Sequence, residues 1–414
     1  MGWRWSSRDL ANLNWAVGLA VIVATSLCIQ AEAQNKKYGP GVQDDEIVIG
    51  QTGPYSGPVS AASVQNKAEA AYFKKLNDEG GVNQRKIKLI SLDDGYMPPK
   101  TLEQTRRLVE SEQVLGIFGS VGTPTNVVIQ RYLNQRKVPH LLITTGDSKF
   151  NDPHNYPWTL AFYPQIKDEA GVLARYVAQT RPNAKVAILY QNDDLGKEYL
   201  AGFRDALGAE ASRVIVATAS FEISDATVDS QVIALKSSGA DVFFNASTPK
   251  FTAQAIRKAY DIGWHPSIHM VIGFSTSIGA TLKPAGLDKA TGVMSVAMYK
   301  SALDPTWKDD RGMLDYVAFV RSGYPEGDPD DFLLAEGYTI AQLTALILQR
   351  CGDELTRENV LKQATSLTDI QMPMLLPGIK VTTTKDDYRA FRQLQLARFD
   401  GNRWVPFGGL IAPP

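Results

Sequence analysis

A chain of 414 residues with 43 Lys+Arg against 44 Asp+Glu is close to neutral, which excludes the basic surface that nucleic acid or an anionic membrane would select. Its length and 44% hydrophobic content suffice for two or more lobes with sizeable cores. A neutral surface suits a freely diffusing protein, expected to be a monomer.

Residues 1–33 read as a secretory signal: Arg4 and Arg8 in the leading region, an uncharged stretch over 16–29, then Ala31-Glu32-Ala33 as a small-x-small cleavage site before Gln34. That stretch falls short of the roughly 20 residues of a membrane span. An uncleaved anchor is the alternative, and Cys28 raises a lipoprotein, against which Leu27 stands where a small residue is wanted. Cleavage after Ala33 leaves Cys351 as the one remaining cysteine, so the exported chain has no internal disulfide and its core holds the fold unaided. The expected location is the periplasm.

After a polar leader over 34–46, apolar strands at 47–52, 87–92, 116–119 and 141–144 alternate with helical patterns at 63–76, 100–110 and 126–136. Such alternation means a parallel sheet with helices on both faces. The stretch 152–164, with Pro153, Pro157 and Pro164, reads as a first crossover. The pattern then restarts, with strands at 185–190, 214–219, 241–245 and 270–273 and helices at 168–179, 197–207, 228–238 and 251–262. A second change of character spans 294–302, and helices at 307–321 and 333–350 are expected to pack back on the first lobe. Segments 394–399 and 404–407 around Asp400-Gly401-Asn402 read as a hairpin. The expected fold class is α/β: two Rossmann-like lobes with parallel sheets joined by a multi-strand hinge. The expected divisions are 34–160 and 298–388 for lobe I, and 161–297 with a return at 389–414 for lobe II. Up to three connections favour a hinge with few directions of motion.

The run IVIGQTGPYSGP over 47–58 sends a buried strand into a loop with Gly53, Tyr55, Ser56 and Gly57, where α/β folds bind ligands. Strand 116–119 leads into Ser120-Val121-Gly122-Thr123-Pro124, and strand 241–245 into Ala246-Ser247-Thr248-Pro249. Each places hydroxyls and free N–H groups at a helix N-terminus, where the macrodipole favours an anion. The plainer reading is that Thr123 and Thr248 cap their helices, with Pro at the first position. A third loop, Thr144-Thr145-Gly146-Asp147-Ser148, is expected beside 120–123, so that neutral donors converge on a carboxylate. Hydrogen bonds to a charged group are worth about 1.5–3 kcal/mol each. Three of them with apolar burial reach the roughly −8 kcal/mol of micromolar binding without catalytic groups.

Phe162 and Tyr163 stand where the chain crosses the cleft, and the acidic loop 192–196 either caps a helix or contacts ligand. The sequence has no GxSxG elbow, Walker loop or GxGxxG in the opening unit. Of four histidines, His265 and His269 have Pro266 between them and are not expected to hold metal. No enzyme activity, metal or cofactor is expected.

The runs IVIGQTGPYSGP, NDEGGVNQRKIKLISLDD (77–94), GIFGSVGTPTN, VPHLLITTG (138–146) and KVAILYQNDDLGKEYL (185–200), in this order, resemble the branched-chain amino acid binding family of periplasmic solute-binding proteins. The resemblance covers nearly all of the exported chain, about 46–400. It implies a small carboxylate held between two closing lobes, and ABC permease and ATPase subunits in the inner membrane as partners. Ser120, Gly122, Thr123, Thr144, Thr145 and Gly146 match the family's carboxylate-binding elements. Amino acid binders commonly carry an acid for the ammonium soon after the fourth strand of lobe II. Here that region is Gly273-Phe274-Ser275-Thr276-Ser277. An aromatic wall is replaced by Ala61-Ala62-Ser63, and a tyrosine by Leu195. The expected ligand is therefore an aromatic or medium-sized apolar acid, with family-typical amino acids next. Tyr55, Ser56, Phe162, Tyr163, Ser247 and Phe274 are expected to shape the rest of the site, and Asp194 to supply the missing acid if the loops are shifted. A ligand-sensing receptor subunit of the same fold is the alternative role.

Overall fold

The computed structural model describes residues 36–412, so the expected export signal and Cys28 lie outside the described residues. Ile47, Ile49, Gln51 and Thr52 of strand β1 (Glu46–Gly53) have no exposed surface. That is the mark of a central strand in a parallel sheet covered on both faces. Helix α1 (Ser63–Asp78), β2 (Lys86–Asp93), α2 (Pro98–Arg106), β3 (Ile117–Phe118), α3 (Thr123–Gln135), β4 (His140–Ile143) and β5 (Thr159–Ala161) complete the first lobe's βα series. Its five parallel strands lie in the order β2-β1-β3-β4-β5.

The second series runs α4 (Ile166–Thr180), β6 (Val186–Gln191), α5 (Asp194–Leu207), β7 (Ile215–Phe221), α6 (Asp229–Ser237), β8 (Val242–Ala246), α7 (Pro249–Asp261), β9 (Ile268–Val271) and β10 (Met294–Ala297). Its parallel strands are ordered β7-β6-β8-β9-β10, the same topology as the first sheet. In both lobes the strand order reverses beside the first strand, which opens a crevice beyond the strands' carboxyl ends.

The chain then returns to the first lobe as α8 (Arg311–Gly323), α9 (Phe332–Cys351) and α10 (Arg357–Ala364). Asp310 starts α8 by accepting from Met313 N at 2.9 Å, four residues later than the apolar pattern suggests. Tyr72 of α1 packs edge-on against Tyr338 of α9, with ring centroids 5.3 Å apart. Strands β11 (Leu394–Phe399) and β12 (Trp404–Ile411) go back to the second lobe and extend its sheet, β11 antiparallel to β10 and β12 antiparallel to β11, making seven strands. Three connections thus cross between the lobes, and they touch one another. Tyr299 of the second bridges to Leu375 of the third, and Phe162 of the first packs on Phe391 of the third at 4.9 Å.

Two strands are hidden in stretches whose sequence reads as crossovers. β5 lies between Pro157 and Pro164, and it takes the edge of its sheet, where missing N–H donors cost least. β10 occupies the start of 294–302, and the crossing begins only after Ala297. Conversely β3 is shorter than 116–119, because Gly119 turns the chain with φ +64° and a Cβ there would stand 2.3 Å from Glu69 Oε2.

Gly337 sets the spacing of α9 on α1: a Cβ at this position would lie 2.3 Å from the Gln65 carbonyl oxygen and 3.0 Å from Ala68 Cβ. Backbone cannot yield as a flexible side chain does. Gly337→Val is expected to lower the unfolding free energy by about 1–3 kcal/mol, the usual cost of overpacking, read from the urea midpoint. An unchanged midpoint would show that the two helices are not in this contact.

Candidate functional site

The loops after β3 and β4 become one surface because adjacent parallel strands end side by side. Val121 bridges to Thr144, and Gly122 N donates to Thr144 O at 3.2 Å. The hydroxyls of Thr123 and Thr145 are 2.6 Å apart, and Thr144 Oγ1 accepts from Gln65 Nε2 at 2.6 Å. Leu142, in the left-handed region at φ +54°, shifts the β4 register against β5 between Leu141 and Ile143. Such a bulge re-aims the residues that follow it. Gly146 then passes under the first crossing: a Cβ would be 1.7 Å from Pro164 O, and Ile166 N donates to Gly146 O at 2.8 Å.

These loops wall a small cavity between the lobes. Lobe I contributes Gly122, Thr123, Thr144, Thr145, Gly146 and Tyr96; the first crossing contributes Tyr163 and Ile166. Lobe II contributes Leu195, Tyr199 and Phe274. Hydroxyls and backbone therefore face rings and aliphatic chains.

Tyr96 is a wall residue that sequence reasoning missed. Its φ of +60° is uncommon for a bulky residue and is held by Asp94, whose Oδ1 accepts from Tyr96 N at 2.8 Å. A Cβ on Gly122, itself at φ +105°, would lie 2.5 Å from the Tyr96 ring. The readable signal was the turn Asp93-Asp94-Gly95 at the carboxyl end of β2, next to the crevice.

Other expected site residues are engaged elsewhere. Ser120 is buried between strands, its Oγ accepting from Thr52 N at 3.1 Å, so it braces β1 against β3 below the cavity. Tyr55 bonds Ser91 at 2.6 Å, and Ser56 Oγ donates to Asp93 at 2.7 Å, which turns that loop onto β2. Phe162 is fully buried against Phe391 in the hinge. Ser247 is sealed in a network with Asn245 and Thr252, and Thr248 Oγ1 donates to Gln191 at 2.9 Å. The loop of lobe II equivalent to 120–124 is thus closed off by its own side chains. Neither Thr123 nor Thr248 caps its helix. Asp193 does cap α5, accepting from Gly196 N at 3.2 Å, and Asp194 pairs with Lys149 at 2.5 Å outside the cavity wall.

A carboxyl group does stand behind residues 273–277, supplied by α4 rather than by that segment. Glu169 Oε1 accepts from Gly273 N at 2.7 Å and Oε2 from the Tyr199 hydroxyl at 2.9 Å. Burial pushes its pKa up to about 7, against the pull of those two bonds. Glu169 is fully buried and spent on positioning, so lobe II turns the ring of Tyr199 to the cavity and keeps its acid behind the wall.

The lobes meet around this cavity. Ser148 N donates to Glu198 Oε1 at 2.9 Å on one side, and Ser277 Oγ donates to Asp331 Oδ2 at 2.9 Å on the other. The conformation is closed.

A family profile described as periplasmic binding protein matches residues 46–403. The chain is 23% identical over 336 residues to a Leu/Ile/Val-binding protein homolog of Brucella abortus, covering 79% of this chain and 82% of that one. Among solved structures, a branched-chain amino acid ABC transporter protein from Thermus thermophilus with bound valine superposes with TM-score 0.80 at 18% identity, over 90% of this chain and 97% of that one. A fatty acid ABC transporter substrate-binding protein from Thermomonospora curvata superposes with TM-score 0.76 at 19% identity, over 91% and 95%.

At the lobe junction the Asp147 carboxyl is pushed up to about 7, first by burial and then by Glu198 opposite it, while Lys149 and its N–H pull the other way. An unfolded Asp titrates near 3.9, so ionising Asp147 costs the folded state more than the unfolded chain. The cost is absent below about pH 4 and grows until the pH passes about 7. Asp147→Asn keeps the acceptor for Lys149 N and adds a donor for Glu198. It is expected to melt above the parent at pH 8 and with the parent at pH 4, in calorimetric scans at both.

Proposed function

The chain belongs to the periplasmic binding protein family, and from that premise we propose that it captures a small carboxylate with an uncharged aromatic or apolar body and passes it to an ABC permease. Members of this family are solute-binding proteins, not enzymes, and the fold is the type I periplasmic binding protein fold. The single observation that carries the ligand class is the division of the cavity: hydroxyl and backbone groups on lobe I, and no acidic side chain among the described residues of its wall. An α-ammonium buried there would lose its hydration without a charged partner, which is costly. A carboxylate instead meets Thr123, Thr145 and the N–H groups of Thr123 and Gly146. Its body lies against Tyr96, Tyr163, Leu195, Tyr199 and Phe274.

Because the ligand touches both lobes, it has greater affinity for the closed form and shifts the open–closed equilibrium toward it. Closure presents a surface made of both lobes to the permease and ATPase subunits of the inner membrane. Export through residues 1–33 would place the monomer in the periplasm. The solved relatives with valine and of fatty acid transport are a precedent for one fold serving both amino acids and plain acids.

A thermal-shift screen of the exported protein tests the ligand class. Aromatic and medium-chain apolar acids are expected to raise the melting temperature, and leucine and valine to leave it unchanged. Stabilisation by leucine or valine alone would refute the reading. Calorimetric titration of the Thr123→Val, Thr145→Val double variant with the best acid should show binding at least tenfold weaker, about 1.4 kcal/mol. Unaltered affinity would remove those loops from the site.

A further inference from the structure

A second cavity lies on the hinge side of the first. Among the described residues Tyr163 is the one that lines both, and the next chain neighbours Gly273 and Phe274 line one each. Tyr163 is the partition. Its hydroxyl rests over Gly273, where a Cβ would stand 2.8 Å from it, so the absence of a side chain at 273 leaves the tyrosine room.

The charged groups around the second cavity are already matched inside the protein. Lys300 pairs with Asp310 at 2.8 Å, Asp330 accepts from Ser301 and from Leu303 N, and Asp331 accepts from Ser277 and Leu333 N. The Trp404 indole N–H is spent on Thr276 O at 2.7 Å. What is left to a guest is mainly apolar, Val296, Ala297, Met298, Phe332, Ala335 and the Trp404 ring, with the unpartnered Tyr299 hydroxyl as a neutral polar group among them.

We propose that the ligand is elongated: its carboxylate sits in the inner cavity and its hydrocarbon chain runs past Tyr163 into this second, apolar chamber. The inference rests on the carboxylate reading above and narrows it to monocarboxylates with a chain too long for the inner cavity alone. A free charge or a second carboxylate at the far end finds no unmatched charged partner there, only the neutral Tyr299 hydroxyl. Affinity therefore grows with chain length, about fourfold for each methylene buried.

The test is calorimetric titration of the exported protein with butanoate, hexanoate, octanoate and decanoate. Affinity is expected to rise along the series. Ala335→Phe, which fills the second chamber from α9, should weaken decanoate by tenfold or more and leave butanoate unchanged. Thr276→Phe fills it from lobe II and serves if the first variant fails to fold. Binding of butanoate with no gain along the series, or decanoate binding equally to the filled variants, overturns the two-chamber ligand while the carboxylate reading stands. If no acid of the series or of the aromatic class binds, both fall.

Discussion

The contact between the Thr123 and Thr145 hydroxyls, 2.6 Å long, joins two loops into one anion-facing surface. It exists because β3 and β4 are parallel neighbours, so their following loops emerge side by side. Two hydroxyls carry two protons, and the mutual bond uses one. The other remains for a guest, together with the uncapped N–H groups at the start of α3. Everything around the pair serves to hold it: Ser120 braces the strands below, Gln65 fixes Thr144, and Gly146 lets the first crossing lie directly on the loop.

The two lobes share a strand order, yet their chemistry differs. In lobe II the loop corresponding to 120–124 spends Ser247 on Asn245 and Thr252, and Thr248 on Gln191. Glu169 takes the Tyr199 hydroxyl and the Gly273 N–H. Topology offers two equivalent crevices, and hydrogen bonding within lobe II closes the polar one. The result is a polar lobe facing an apolar lobe, a pairing that suits an amphipathic guest and gives it a reason to hold the lobes together.

The βα alternation was legible because buried parallel strands are unbroken apolar runs and the helices between them are long. β5 and β10 were not, since one lies among prolines and the other runs without a break into a crossing. Within the site, the threonine and glycine loops could be read from their place after strands. Tyr96 and Glu169 were missed, because Tyr96 reaches the wall from a left-handed turn after β2, and Glu169 stands behind the wall in the first turn of a helix that otherwise reads as amphipathic packing. Ser247 and Asp194 misled for the converse reason. Their positions in the chain suit a cleft, but Asn245, Thr252 and Lys149 claim their side chains, and such partners become visible only with coordinates.

The most direct measurement is a crystal structure of the exported protein with a bound acid. The carboxylate is predicted within hydrogen-bonding distance of both Thr123 and Thr145, with the carbon skeleton against Leu195 and Phe274. A carboxylate anchored by groups of lobe II, or lying outside the space between the lobes, would contradict the account.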